Sequence, residues 1–276
     1  MASKCSNKQS CLSGFLVGAA VVGAVGYGAY HLGCKNKPLG GSGGQQQEIQ
    51  DIVIKVIKEK PDLIMTALND GMQAQQDKLR IDMEKDASAM KDKLLQSSIV
   101  IGNPKADVRL LAFIDPMCPH CGEFLRISNA LLLKRQDLAI HLIPIAMLGA
   151  NSVALSKMML AASGQNVDKM KTFFLKFGEK AGEIDQRPKL LKLAKESGLD
   201  VDQLEKAETA PETEKQLESN TKLAETLKIP GVPTVFGIYA SGKMSIIPPT
   251  DLENFNTLID TIKADKPIEA SLASKE

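Results

Sequence analysis

The chain contains no tryptophan, and its aromatic content stops at eight phenylalanines and three tyrosines in 276 residues. Any apolar surface for docking another molecule must therefore be built mainly from aliphatic and thioether side chains. An excess of one charge is also missing: 34 Lys and Arg stand against 33 Asp and Glu, a net charge of +1. With no basic stripe, a nucleic-acid partner is excluded and a protein partner is expected. Histidine is limited to His31, His120 and His141, and cysteine to Cys5, Cys11, Cys34, Cys118 and Cys121. Structural zinc usually takes four ligands, often a second close Cys pair or an HxxxH, and neither follows the pair at 118 and 121. No metal site is expected. Beyond residue 34 only Cys118 and Cys121 remain, so that region has no cysteines left over for a separate structural disulfide.

What is present is Cys118-Pro119-His120-Cys121, two cysteines one helical turn apart. An apolar run over 108–114 reads as a buried strand, and 118–136 reads as the helix it feeds. Cys118 then falls at the helix start, where unpaired N–H groups and the positive end of the macrodipole favour a thiolate. It is the expected nucleophile. Cys121, one turn further in and more covered, is placed to attack a mixed disulfide on Cys118. His120, when protonated, adds positive charge beside the sulfur. Each pKa unit by which the thiolate is favoured corresponds to about 1.4 kcal/mol. The competing readings are half of a zinc site or two ordinary core cysteines; redox chemistry through a Cys118–Cys121 disulfide, with no other cofactor, is the one adopted.

Far downstream, Gly231-Val232-Pro233-Thr234 sits at the head of a β-rich run. A proline directly before a strand is a candidate cis peptide, with a plain trans loop as the alternative. Taken together, Cys-Pro-His-Cys and this proline loop resemble the thioredoxin superfamily, and the CPHC form looks like the DsbA family, over about residues 98–265. The resemblance implies that the loop packs against the active-site sulfurs and that the residue before the proline pairs with extended substrate peptides. Those roles fall on Pro233 and Val232, with Thr234 beside them.

The fold class expected is α/β: a thioredoxin fold with a helical insertion, preceded by an N-terminal helical segment and a membrane-anchor helix. Residues 138–145 form a second strand, completing a βαβ unit, and 234–239 and 243–247 flank a short hairpin connection. Residues 251–263 give a last amphipathic helix. The insertion, 151–228, carries helix punctuation: Asn151 as a cap, Gly164 and Gly198 as stops, Pro188 and Pro211 near starts. Asp115, just before Pro116, is either a buried carboxylate that helps move protons or a turn former; the turn is preferred. The docking surface is assigned to Met117, Phe124, Met147, Leu148 and similar residues, with flexible Met suited to varied unfolded clients.

Residues 12–32 are uncharged, follow Lys4 and Lys8, and are about long enough to span a bilayer. Within a 1–34 signal or anchor segment, cleavage near Gly28 and lipidation at Cys34 stay open. A flexible linker is expected over 35–47. In 48–97, Ile49, Ile52, Val53, Val56 and Ile57 mark one helical face, and Pro61 starts a second helix with Leu68, Met72, Leu79, Met83, Met90 and Leu94 along a narrow seam. Homo-oligomerisation through this segment is preferred over a helix lying back on its own domain or a spacer. A disordered tail closes the chain at 266–276. The expected activity is a thiol-disulfide oxidoreductase, oxidase or isomerase, in a bacterial envelope and facing the periplasm. Its partners are misfolded or unfolded exported proteins and a membrane redox partner. A non-catalytic scaffold or a metal chaperone using the two thiolates is the alternative.

Overall fold

All of Leu138–Pro144 is buried, and so is Val108–Ile114 apart from Arg109. Near-continuous apolar strands of this kind require cover on both faces of the sheet. The computed structural model describes residues 43–180, 182–248 and 251–268. The anchor expected at 12–32 and Cys34 lie outside them, and among the described residues no helix is long and apolar enough to cross a membrane. The chain divides into two units, residues 1–64 and 65–276.

Strands β1 (Ile99–Gly102), β2 (Val108–Ile114), β3 (Leu138–Pro144), β4 (Thr234–Ile238) and β5 (Met244–Ile247) form one sheet in the order β1-β3-β2-β4-β5. β2 and β3 run parallel, and the other pairings are antiparallel. The strand β1 is not anticipated by the sequence, since four residues are too short for a periodicity to declare itself. It is held where Gly102, at φ 98°, turns the chain so tightly that a Cβ would meet the Leu138 carbonyl oxygen at 2.8 Å.

Ten helices are described: α1 (Gly43–Glu59), α2 (Pro61–Ala89), α3 (Lys91–Gln96), α4 (Pro119–Lys134), α5 (Ala150–Ser163), α6 (Val167–Glu179), α7 (Arg187–Glu196), α8 (Val201–Glu208), α9 (Pro211–Thr226) and α10 (Leu252–Lys263). One face of the sheet, with Leu110, Ala112 and Ile140, packs on α4, α10 and Phe173, Phe174 and Leu193 of the insertion. The other, with Leu111, Phe113 and Ile143, is covered by Leu223 and Leu227 and by Met83, Ala87 and Leu94. Arg135 and Lys263 pin α10 to the start of β3, through Asp260 at 2.7 Å and Asp137 at 2.6 Å respectively.

Four features differ from the sequence reading. Asn151 is not a cap: Gly149 is the N-cap of α5, and Asn151 is exposed one residue inside the helix. Gly149, at φ 105°, turns the chain two residues earlier than the polar residue suggests. The helix α1 starts at Gly43, inside the expected linker, because the run Gln45-Gln46-Gln47 is made of good helix formers. The seam on α2 and α3 divides. Leu68, Met72 and Leu79 are exposed, whereas Met83 and Leu94 are buried against the sheet and Met90 packs beside them. At the other end, Ile268 belongs to the core although it falls in the expected tail; residues 269–276 lie outside the described ones.

Candidate active site

The strand order explains why residues far apart in the chain meet. β4 pairs antiparallel with β2, placing Thr234 opposite Phe113, so the loop entering β4 lies beside the chain leaving β2. On this ridge Cys118 is the N-cap of α4 and Pro119 its first residue, a position that tolerates proline because the first N–H has no helical partner. The backbone carbonyl of Cys118 accepts from Cys121 N–H at 3.0 Å and Gly122 N–H at 3.3 Å, while its side chain makes no capping bond.

The Val232–Pro233 peptide is cis. Cys118 Sγ donates to the Val232 carbonyl oxygen at 3.3 Å, and Thr234 Oγ1 donates back to the Gly231 carbonyl at 2.7 Å, closing the loop on itself. Cys118, Pro119, His120, Cys121, Val232, Pro233 and Thr234 therefore gather at one place. Both cysteines are free thiols. Cys118 keeps 8% of its surface and Cys121 none, the order expected for an outer and an inner sulfur. Burial pushes the Cys121 thiol well above its ordinary value; the Asp115 N–H, donating to its sulfur at 3.4 Å, opposes that, and the neighbouring Cys118 adds to it. His120 is exposed.

Beside the sulfurs runs a groove of about 520 Å³, bounded by His120, Phe124 and Ile127 of α4, the 230–235 loop, and Ile247 and Phe255. The Phe124 and Phe255 rings lie 6.1 Å apart. Phe124 was read as docking surface and forms part of this lining; Met117 packs against the core, and Met147 and Leu148 are exposed on the loop after β3. Phe255 carries no sequence signal beyond its place on the apolar stripe of α10, whose docking across the chain no local pattern reveals.

Asp115 does more than shape a turn. It is fully buried, and its carboxylate accepts from Met117 N–H at 2.8 Å, Met147 N–H at 2.7 Å and Leu148 N–H at 3.0 Å. The first of these is the expected Asx turn. The other two tie the end of β2 to the end of β3, an adjacency visible only once the strands are paired.

A family model described as thioredoxin matches residues 95–261, more than half of the chain. The chain belongs to the thioredoxin family. Solved structures share this fold. A linker-deletion mutant of ScsC from Proteus mirabilis aligns at 18% identity over 83% of this chain and 99% of its own, with TM-score 0.58. BcfH from Salmonella enterica Typhimurium aligns at 18% over 80% and 96%, with TM-score 0.65. The thiol-disulfide exchange protein α-DsbA2 from Wolbachia pipientis aligns at 20% over 64% and 94%, with TM-score 0.56. No curated protein matches this thioredoxin-family chain in sequence.

Proposed function

We propose that the chain is a thiol-disulfide oxidoreductase that makes or reshuffles disulfides in exported proteins. The observation that carries this is Cys118 Sγ at the start of α4, 3.3 Å from the carbonyl before a cis proline and opening on an apolar groove. In the oxidase direction a client thiolate attacks Cys118 Sγ of the Cys118–Cys121 disulfide. The S–S bond breaks, Cys121 leaves as a thiolate and takes up a proton, and a mixed disulfide joins client to Cys118. A second client thiolate attacks the client sulfur of that bond and releases Cys118. Two electrons have passed from client to enzyme. The buried Cys121, whose thiol form burial favours, then resists giving the proton back, which drives the step forward. In the isomerase direction the dithiol form starts, with Cys118 attacking a wrong client disulfide and Cys121 resolving if no client thiol does. Val232, Pro233 and Thr234 present backbone to the extended client, and His120, whenever it carries a proton, adds positive charge beside the sulfur. After the oxidase cycle a membrane redox partner would take the two electrons from the dithiol and restore the Cys118–Cys121 disulfide.

The isomerase variant of this reading draws support from α1, where Ile49, Ile52, Val53, Val56 and Ile57 are all exposed on one stripe. Such a stripe suits a second copy of the chain, and several active sites around one client assist reshuffling. With residues 12–32 as anchor, the protein would act at a bacterial envelope, facing the periplasm.

The full chain is assayed on a reduced and on a scrambled client, with Cys118→Ala as blank. The Cys118–Cys121 disulfide form is expected to oxidise the first, and on the scrambled client Cys118 of Cys121→Ser, attacking a client disulfide, should accumulate the mixed disulfide, seen as a mass increase lost on reduction. Sluggish alkylation of Cys118 at mildly acidic pH together with stoichiometric metal uptake would replace this reading with a metal-binding one. Ile52→Ser with Val56→Ser should lower the mass in light scattering and abolish rescue of the scrambled client alone; an unchanged mass removes the oligomer.

A further inference from the structure

Asp115 is bonded to both cysteines and to the loop that follows β3. Its backbone N–H donates to Cys121 Sγ at 3.4 Å and its carbonyl accepts from Cys118 N–H at 3.0 Å. Its carboxylate holds Met117 N–H through Oδ1, and Met147 and Leu148 N–H through Oδ2. Two successive N–H groups on one buried carboxylate oxygen fix the backbone of 147–148, although their side chains are 48% and 53% exposed. An exposed Met-Leu pair on an unrestrained loop would lose conformational freedom on contact; one held in place does not have to. The sheet order sets the geometry. β3 and β4 flank β2, so the 147–148 loop stands on one side of the cysteine-bearing turn and the groove with Val232 on the other.

We infer that Asp115 is a positioning residue that holds Met147 and Leu148 as an apolar lip for a client residue beside the reacting cysteine. The inference rests on the oxidoreductase reading. Cys118 chemistry with a small disulfide does not need the lip, whereas a client cysteine flanked by a large apolar residue buries that residue against it. Met147 and Leu148 thus set specificity among peptides, and Asp115 acts through them.

The test compares two substrates in single turnovers of the full chain in its dithiol form, which each oxidises to the Cys118–Cys121 disulfide: glutathione disulfide and a disulfide-linked peptide with Leu next to its cysteine. Met147→Ser with Leu148→Ser, both on the surface, should raise KM for the peptide about tenfold, the order that one or two lost apolar contacts produce. Its rate with glutathione disulfide should stay within about twofold. Asp115→Asn, which replaces one acceptor oxygen by a donor group, should reproduce the peptide effect, and replacing the flanking Leu of the peptide by Ser should erase the difference between wild type and both variants. Equal losses on both substrates for Asp115→Asn would reduce its role to supporting the cysteine turn. An unchanged peptide KM in the double serine variant would overturn the lip. A wild-type chain inactive on both substrates would instead sink the oxidoreductase reading, and the lip with it.

Discussion

His141 sits in the middle of β3 with its ring buried, Nδ1 2.8 Å from Ser98 Oγ and no partner on Nε2. Because the Ser98 hydroxyl already donates to the Leu95 carbonyl at 2.7 Å, Nδ1 is the protonated nitrogen of a neutral ring. Burial, and secondly the Arg109 charge, push its pKa from 6.5 down to about 4. The folded state therefore binds the proton less readily than the unfolded one. Stability is full above about pH 6.5 and is lost as the pH falls from there to about 4, by roughly 3 kcal/mol in total. Urea midpoints for wild type should drop across this window, and His141→Leu should flatten the drop; equal slopes would refute the assignment. A second residue acts by having no side chain. A Cβ on Gly178 would lie 3.0 Å from Arg126 N and Leu125 C, so α6 approaches α4 at backbone distance, and Asn129 Nδ2 donates across the gap to the Leu175 carbonyl at 2.9 Å. Gly178→Ala should cost about 1–3 kcal/mol in chemical denaturation by forcing the catalytic helix and its neighbour apart.

At the scale of elements, the edge strand β5 is the weak point of the sheet, since an unpaired edge invites other strands. The helix α2 covers it with side chains in place of a sixth strand. Glu84 Oε1 accepts from Ile246 N–H at 2.9 Å, and Ser88 Oγ accepts from Met244 N–H at 2.8 Å while donating to the Glu84 carbonyl at 2.7 Å. The spacing of four residues on the helix matches two on the strand, which is why alternate N–H groups are satisfied. Glu84→Ala together with Ser88→Ala should therefore speed hydrogen exchange at Met244 and Ile246 by at least tenfold, with little effect on the amides of β3. Undisturbed exchange at β5 would show that the helix covers the edge without holding it. The clamp also changes how the helical segment is understood: a periodicity of three and four along 68–94 predicts one continuous seam, yet only its second half meets the sheet.

For residues 65–276 as a whole, one cluster of buried side chains joins the sheet, α4, α10 and the insertion, with Leu190, Leu193 and Leu204 in contact with the same core as Leu110 and Ile140. Sheet and insertion should accordingly melt in one calorimetric transition; two separated transitions would mark the insertion as an independent folding unit. The local sequence determined a good deal here. Cys-Pro-His-Cys after an apolar run specifies a dithiol at a helix start, Val232-Pro233 before a β-rich run specifies the loop, and Pro188, Pro211, Gly164 and Gly198 mark helix ends, because each of these depends on backbone rules that act within a few residues. Tertiary structure alone decided the rest. The pairing of β2 with β4 brings Val232 to Cys118, the docking of α10 brings Phe255 to the groove, and the adjacency of β2 and β3 turns Asp115 from a turn residue into a tie between two loops. Contacts of that kind depend on which strands become neighbours, and chain proximity carries no record of it.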